Sequence, residues 1–219
     1  GACTKLRKET SDLCSLHKRR RERHGHPAAG RIASADKWAM VNQLRPLLKP
    51  GRGIRLDAQL HQAALSAMQR ILDVPADLSP ALRRELYRLQ DQEKPVAPRE
   101  ALVTVLSFWC IAEIPGAITK ARDKKGKPPQ FLTEKAIAVL IGGSLLNRRK
   151  RKGRITQKVK LELGRLIVAQ LSPMMPIVFA LIAQRMAASV ARVQKKVASR
   201  QVATKQSQPQ PSARLRFDF

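Results

Sequence analysis

Residues Ile114–Leu140 read IPGAITKARDKKGKPPQFLTEKAIAVL, and this stretch decides how the chain is divided. An apolar run ends at Pro115-Gly116, because proline disfavours helical backbone in the residue before it and glycine accepts the left-handed turn that closes a helix. Thr119 to Phe131 then has the pattern of a hairpin: Ile118-Thr119-Lys120-Ala121, a turn at Asp123-Lys124-Lys125-Gly126, and Gln130-Phe131-Leu132. Aspartate early and glycine late suit a four-residue type I turn. Pro128 and Pro129 make the second strand short or an edge, since neither can donate to a ladder. Lys120, Arg122, Lys124, Lys125 and Lys127 project from this small ribbon and form a candidate phosphate-contacting surface. Thr133 stands where an N-cap is needed, ahead of an apolar helix running to about Asn147 through Ile137, Leu140, Ile141 and Leu145.

Upstream, apolar residues recur at helical spacing in successive segments. The first helix is expected from Asp36 or Lys37 to Leu48, with Trp38, Val41, Leu44 and Leu48 near one face and Pro46 bending or shortening it. Lys49-Pro50-Gly51-Arg52-Gly53 breaks the pattern. Its glycines, with Arg52 and Arg55, suit the approach of a phosphate, although a plain interhelical turn explains them better. The spacing and ending of a Walker loop are absent. A second helix spans Leu56 to Leu72, and Ser79 caps a third from Pro80 to about Gln90, with proline at the favoured first position. Leu82, Leu86 and Leu89 form the apolar face of the third helix; Arg83, Arg84 and Arg88 form a basic one beside Tyr87, which can stack on a base or pack half-buried. After the connector Gln92 to Pro98, a strongly apolar helix reaches Ile114 and is expected to be the centre of the core.

The motifs around the opening stretch resemble the FinO/ProQ family of RNA chaperones. The resemblance rests on Phe108-Trp109-Cys110-Ile111-Ala112-Glu113-Ile114-Pro115-Gly116-Ala117, on Asp123 and Gly126-Lys127-Pro128, and on Leu132-Thr133-Glu134-Lys135-Ala136-Ile137-Ala138. Arg45-Pro46-Leu47-Leu48-Lys49 with Gly53-Ile54, and Leu78-Ser79 with Leu82-Arg83, are similar to further segments of that family. The likeness spans about residues 44–145. Where family members carry an arginine shortly after Gly-Ala, this chain has Thr119 with Lys120 beside it. The resemblance implies a mainly helical domain that binds structured RNA with a 3′ single-stranded tail, its basic extensions promoting strand exchange or duplexing. Stem recognition by phosphate and shape contacts suits a lysine ribbon and arginine-rich helices.

Beyond this region, Arg148-Arg149-Lys150-Arg151-Lys152-Gly153-Arg154 is the densest cluster of charge, readable as a phosphate-binding segment, a solvated linker or a targeting signal. Two helices are expected after it, Ile155 to Leu171 and Pro173 to about Ser199, as a helical hairpin packed on the core or on a second subunit, with self-association through 173–190. The apolar run Met174–Ala183 is too short to cross a bilayer, so no stable membrane insertion is expected. Ala138 and Gly142 are spaced as in a turn-helix DNA reader, but Arg148 stands where that motif closes its core. The fold class is therefore mainly α: a compact helical domain with one short β-hairpin, a basic flexible N-terminal arm and a C-terminal helical extension. The divisions are a basic arm over 1–36, a helical RNA-binding core over 37–147, a basic linker and helical hairpin over 148–199, and a Gln/Pro/Ser-rich disordered tail over 200–219.

Composition narrows the partners. The 219 residues carry 43 Lys and Arg against 16 Asp and Glu, a formal net charge of +27. Such an excess repels itself unless a polyanion neutralises it, so nucleic acid is the first partner to expect and an anionic membrane surface the second. Three cysteines make no disulfide framework and suit a reducing cytoplasm, and the charged N-terminus shows no apolar signal core. Cys14, His17, His24 and His26 match no standard zinc spacing, and no paired acids or nucleophile–base set emerges, so neither an enzyme nor a cofactor is expected. The expected function is RNA binding as a chaperone or antisense regulator. The alternatives are a DNA-binding protein of a plasmid or phage, and an interaction or membrane-surface protein using Met174–Ala183.

Overall fold

The computed structural model describes residues 14–24, 32–49, 54–91, 94–117, 133–146 and 155–206, with side chains described except at 23, 24, 193, 195–198 and 200–206. These residues are mainly helical. The helices are α1 (Ser15–His24), α2 (Ser34–Leu47), α3 (Ala58–Leu72), α4 (Pro80–Gln90), α5 (Pro98–Glu113), α6 (Glu134–Leu146), α7 (Gln157–Leu171) and α8 (Met175–Gln206), with a 3₁₀ turn at Ser172–Met174. The chain divides after Ile182 into two units. The expected hairpin over 118–132 lies outside the described residues.

Local chemistry sets most helix boundaries. The carboxylate of Asp57 accepts from the amides of Gln59 and Leu60 at 2.8 and 3.3 Å, and the hydroxyl of Ser79 accepts from Leu82 at 3.3 Å. Thr133 and Thr156 cap α6 and α7 in the same way, through the amides of Ala136 and Val159. Each cap satisfies donors that the first helical turn leaves open. Pro80 and Pro98 occupy first-turn positions, where a missing N–H costs nothing. At the far end of α5, Ile114 is extended ahead of Pro115, and Gly116 takes φ +75°. The amide of Ala117 then closes the turn on the carbonyl of Ile114 at 3.2 Å.

The core is built around α5 and α6. Helix α5 packs against α2, α3 and α6, burying Leu102, Val105, Leu106, Trp109, Cys110 and Ile111. Every residue of α6 from Ala138 to Leu146 is buried, which follows from a segment that is apolar around its whole circumference. Its neighbours are α5, α7, α1 and α4. Helix α7 crosses α6 so closely that the two backbones touch at glycines. A Cβ built on Gly142 would fall on the carbonyl oxygen of Lys160 and 2.8 Å from the amide nitrogen of Gly164. One built on Gly164 would strike the carbonyl of Ala138. The Ala138/Gly142 spacing thus serves helix crossing. Helix α6 runs through Gly142 without a turn, so the turn-helix reader is not present there.

Other expectations change. Within the stretch read as a flexible arm, α1 is helical and lies against α6, with Cys14 buried at its start. Trp38 is 56% exposed, not part of the core face of α2. At 100° per residue it stands roughly opposite the buried set Met40, Leu44 and Leu47. No hairpin opens between α7 and α8. Leu171, Ser172 and Met175 all keep right-handed helical backbone, so the chain does not reverse. Pro173 and Pro176 each remove a helical hydrogen bond, and the helix tightens there to a single 3₁₀ turn. The run Gln157–Arg192 is thereby long and apolar enough to cross a membrane by length and composition alone, with a third of its most apolar window buried in the fold. Helix α8 itself extends to Gln206, past the position where a disordered tail was expected to begin.

Candidate nucleic-acid interface

Helix α4 carries the sequence-predicted residues that the structure brings together. Leu82, Leu86 and Leu89 are buried, and the 3.6-residue period turns Arg83, Arg84, Tyr87 and Arg88 to the opposite side. An open depression there is lined by Pro80, Arg83, Arg84, Tyr87, Arg88, Gln90 and Asp91. Tyr87 is 58% exposed, so its ring has faces free for a further partner. It also borders a second depression formed by the end of α3 and the connector Pro95–Pro98. The tyrosine thus stands on a ridge, with arginines on one side and an apolar, proline-lined hollow on the other.

The charges of α4 are not equivalent. Arg88 is paired with Glu85 one turn earlier, at 3.0 Å. Arg84 is exposed, whereas Arg83 is half-buried and its Nε lies out of solvent with no acceptor among the described residues. A buried donor without a partner is costly.

The N-terminus of α4 is already occupied by the protein itself. Glu162 of α7 accepts from the Ser79 amide at 2.9 Å and from the Ser79 hydroxyl at 2.6 Å. Its carboxylate holds the place that a bound anion takes at other helix starts. The same pair of bonds ties the start of α4 to α7.

The hollow beside Tyr87 is bordered by Val74, the one described non-glycine residue with positive φ, at 58°. A β-branched side chain is disfavoured there. Val74 is nevertheless buried, and its amide reaches the carbonyl of Ile71 at 3.4 Å. Gln90 of α4 donates to the carbonyl of Leu72 at 3.4 Å, tying the end of α4 to the end of α3.

The remaining predicted contacts are not gathered into this depression. Arg55 is exposed in the segment before α3 and is not part of the lining. Arg52, Lys120, Arg122, Lys124, Lys125, Lys127, Arg148, Arg149, Lys150, Arg151, Lys152 and Arg154 lie outside the described residues. Arg88, placed on the basic face by the sequence, also lines the depression, as does Gln90, which the sequence did not single out.

Reactive chemistry is sparse. Burial pushes the Cys110 thiol up to about 12, so its nucleophilic thiolate form is suppressed. Burial, and then the Arg99 guanidinium, hold His61 below its usual value. Among the described residues no group of three or more His, Cys, Asp or Glu is placed to hold a metal; Cys14 Sγ and His17 Nδ1 form only a pair, at 3.5 Å. Comparison with models of known protein families, with curated protein sequences and with solved structures returned no match.

Proposed function

We propose that this chain is a non-enzymatic RNA-binding protein that takes structured RNA with a single-stranded 3′ tail, acting as a chaperone or antisense regulator in the cytoplasm. The observation that carries the reading is the exposed Tyr87 with Arg83 and Arg84 beside it, on a helix anchored at its start, in a chain of net charge +27. An aromatic platform beside cations is the arrangement that unpaired bases use, since every base has a face to stack and a phosphate to neutralise. The resemblance to FinO/ProQ proteins points to the same ligand class.

Competition among a 3′-tailed RNA hairpin, a blunt RNA hairpin and duplex DNA at one salt concentration tests the reading. The tailed hairpin is expected to bind best. Tyr87→Ala should cost about 1–3 kcal/mol on that probe and little on the blunt hairpin. Replacing Arg83 and Arg84 together should flatten the salt dependence by about 0.7–0.9 log units per lost phosphate contact. Equal affinity for all three probes would refute the preference for a tail, and preference for one duplex DNA sequence would favour a DNA-binding protein instead.

A further inference from the structure

Helix α2 shows a second aromatic surface whose composition the core does not require. Its buried side is Asp36, Met40, Val41, Leu44 and Leu47, and packs on α5. Trp38 stands on the other side, 56% exposed. A scattered exposed aliphatic residue needs no explanation, but an indole forgoes a large gain by staying out of the core. Trp38 is also not isolated. The guanidinium of Arg45, nearly two turns on, lies 5.7 Å from its ring centroid. At the seam with α5, the ammonium of Lys37 lies 5.3 Å from the ring of Phe108, which is half-buried. The α2/α5 pair thus carries two cation–ring contacts, Arg45 with Trp38 on the outer side of α2 and Lys37 with Phe108 at the seam.

We propose that Trp38 is a base-stacking station for single-stranded RNA, with Arg45 contacting a neighbouring phosphate. This inference rests on the RNA-binding reading and adds to it a contact separate from the lining of the α4 depression. Three properties select this ligand. The exposed indole offers an aromatic face to a base. Arg45 holds positive charge near the ring, where it also adds cation–π attraction to the stack. The net charge of +27 makes a polyanion the complementary partner, and an unpaired strand alone presents both a bare base and a phosphate at each nucleotide. A duplex keeps its bases stacked on one another and has no face to give Trp38.

The test uses the full chain, a short oligouridylate and a blunt RNA duplex. Trp38 and the buried Trp109 are the two tryptophans, so quenching of the solvent-accessible emission reports on Trp38. Oligouridylate is expected to quench that emission, and the blunt duplex to bind with little quenching. Trp38→Ala should weaken oligouridylate binding roughly 5- to 150-fold while leaving duplex affinity unchanged. Trp38→Phe, which keeps a ring, should recover much of the loss. Arg45→Ala should lower both the affinity for oligouridylate and its salt slope. Because Trp38 lies outside the core, unchanged far-ultraviolet dichroism will accompany these changes. Trp38→Ala binding oligouridylate as the parent does, or emission unmoved at saturation, would overturn the proposal while leaving Tyr87-dependent binding of the tailed hairpin intact. Failure of the unaltered chain to bind either RNA would overturn both readings together.

Discussion

Replacing Gly164 by alanine should destabilise the fold, although alanine is the better helix former. Gly164 lies within α7 where that helix crosses α6, and an added Cβ would overlap the carbonyl of Ala138 and lie 2.9 Å from its Cα. Both obstructing groups are backbone, so no side chain can rotate away. The helices must separate or one must shift along the other. Overpacking of this kind costs about 1–3 kcal/mol, and a backbone obstacle belongs near the upper end. Against that stands about 1 kcal/mol of helix propensity gained on leaving glycine. The net expectation is a loss of about 2 kcal/mol, equivalent to a fall in melting temperature of about 4–8 °C for a chain of this size. Urea unfolding followed by far-ultraviolet dichroism measures it. Gly142→Ala should behave alike, because its Cβ would meet Lys160 and Gly164 from the other helix. The double variant should lose less than the sum of the two, since helices already forced apart accommodate the second methyl more easily. A Gly164→Ala variant as stable as the parent, or more so by the propensity difference, would refute a backbone-to-backbone crossing at this point.

Glu162→Ala removes both hydrogen bonds to Ser79 and should cost about 1.5–3 kcal/mol, the range for bonds to a charged group. Amide exchange in the first turn of α4 should accelerate with it, and unchanged exchange would show that Glu162 does not anchor the helix. His61 should make the fold sensitive to mild acid. Its folded-state pKa lies below the usual 6.5, so the unfolded chain takes up a proton first. Its contribution is therefore fully present above the unfolded value and declines as pH falls through that value towards the lower folded one. His61→Gln should flatten the change in urea midpoint between about pH 7.5 and 5.5. An identical change in parent and variant would assign it to other groups.

Much of the helical layout is legible in the sequence because it is set locally. Ser79 and Thr133, read as caps, cap helices through their own side chains, and Pro115-Gly116 ends α5 through backbone preferences that need no tertiary partner; Asp57 and Thr156 also cap, although their helices were expected to begin at Leu56 and Ile155. The basic face of α4 is equally local, since one helical period separates its leucines from its arginines and tyrosine. Trp38 was assigned to the wrong side of α2 because hydrophobicity was given more weight than angle. Its hydrophobicity suggested the core, while its position relative to Met40 and Leu44 placed it outside. The continuity of α7 into α8 was missed for a related reason. The two helices were expected to fold back on each other between Leu171 and Pro173, yet so close to the start of α8 a proline needs only a tighter turn.

By itself, then, the sequence determined where most helices start and stop, which of their faces are apolar, and that the chain carries a large positive charge. Those properties belong to single residues and to neighbours within one turn. Only the tertiary structure decided that Gly142 and Gly164 are a crossing point, that Glu162 of α7 occupies the start of α4, and that Arg83, Arg84 and Tyr87 border one depression while Trp38 and Arg45 stand on a surface of their own. The crossing and the Glu162 anchor join residues separated along the chain, and local periodicity is blind to which helix another will meet. Close packing chooses that partner: two glycines let backbones touch, and the contact then fixes the helix that presents the arginines.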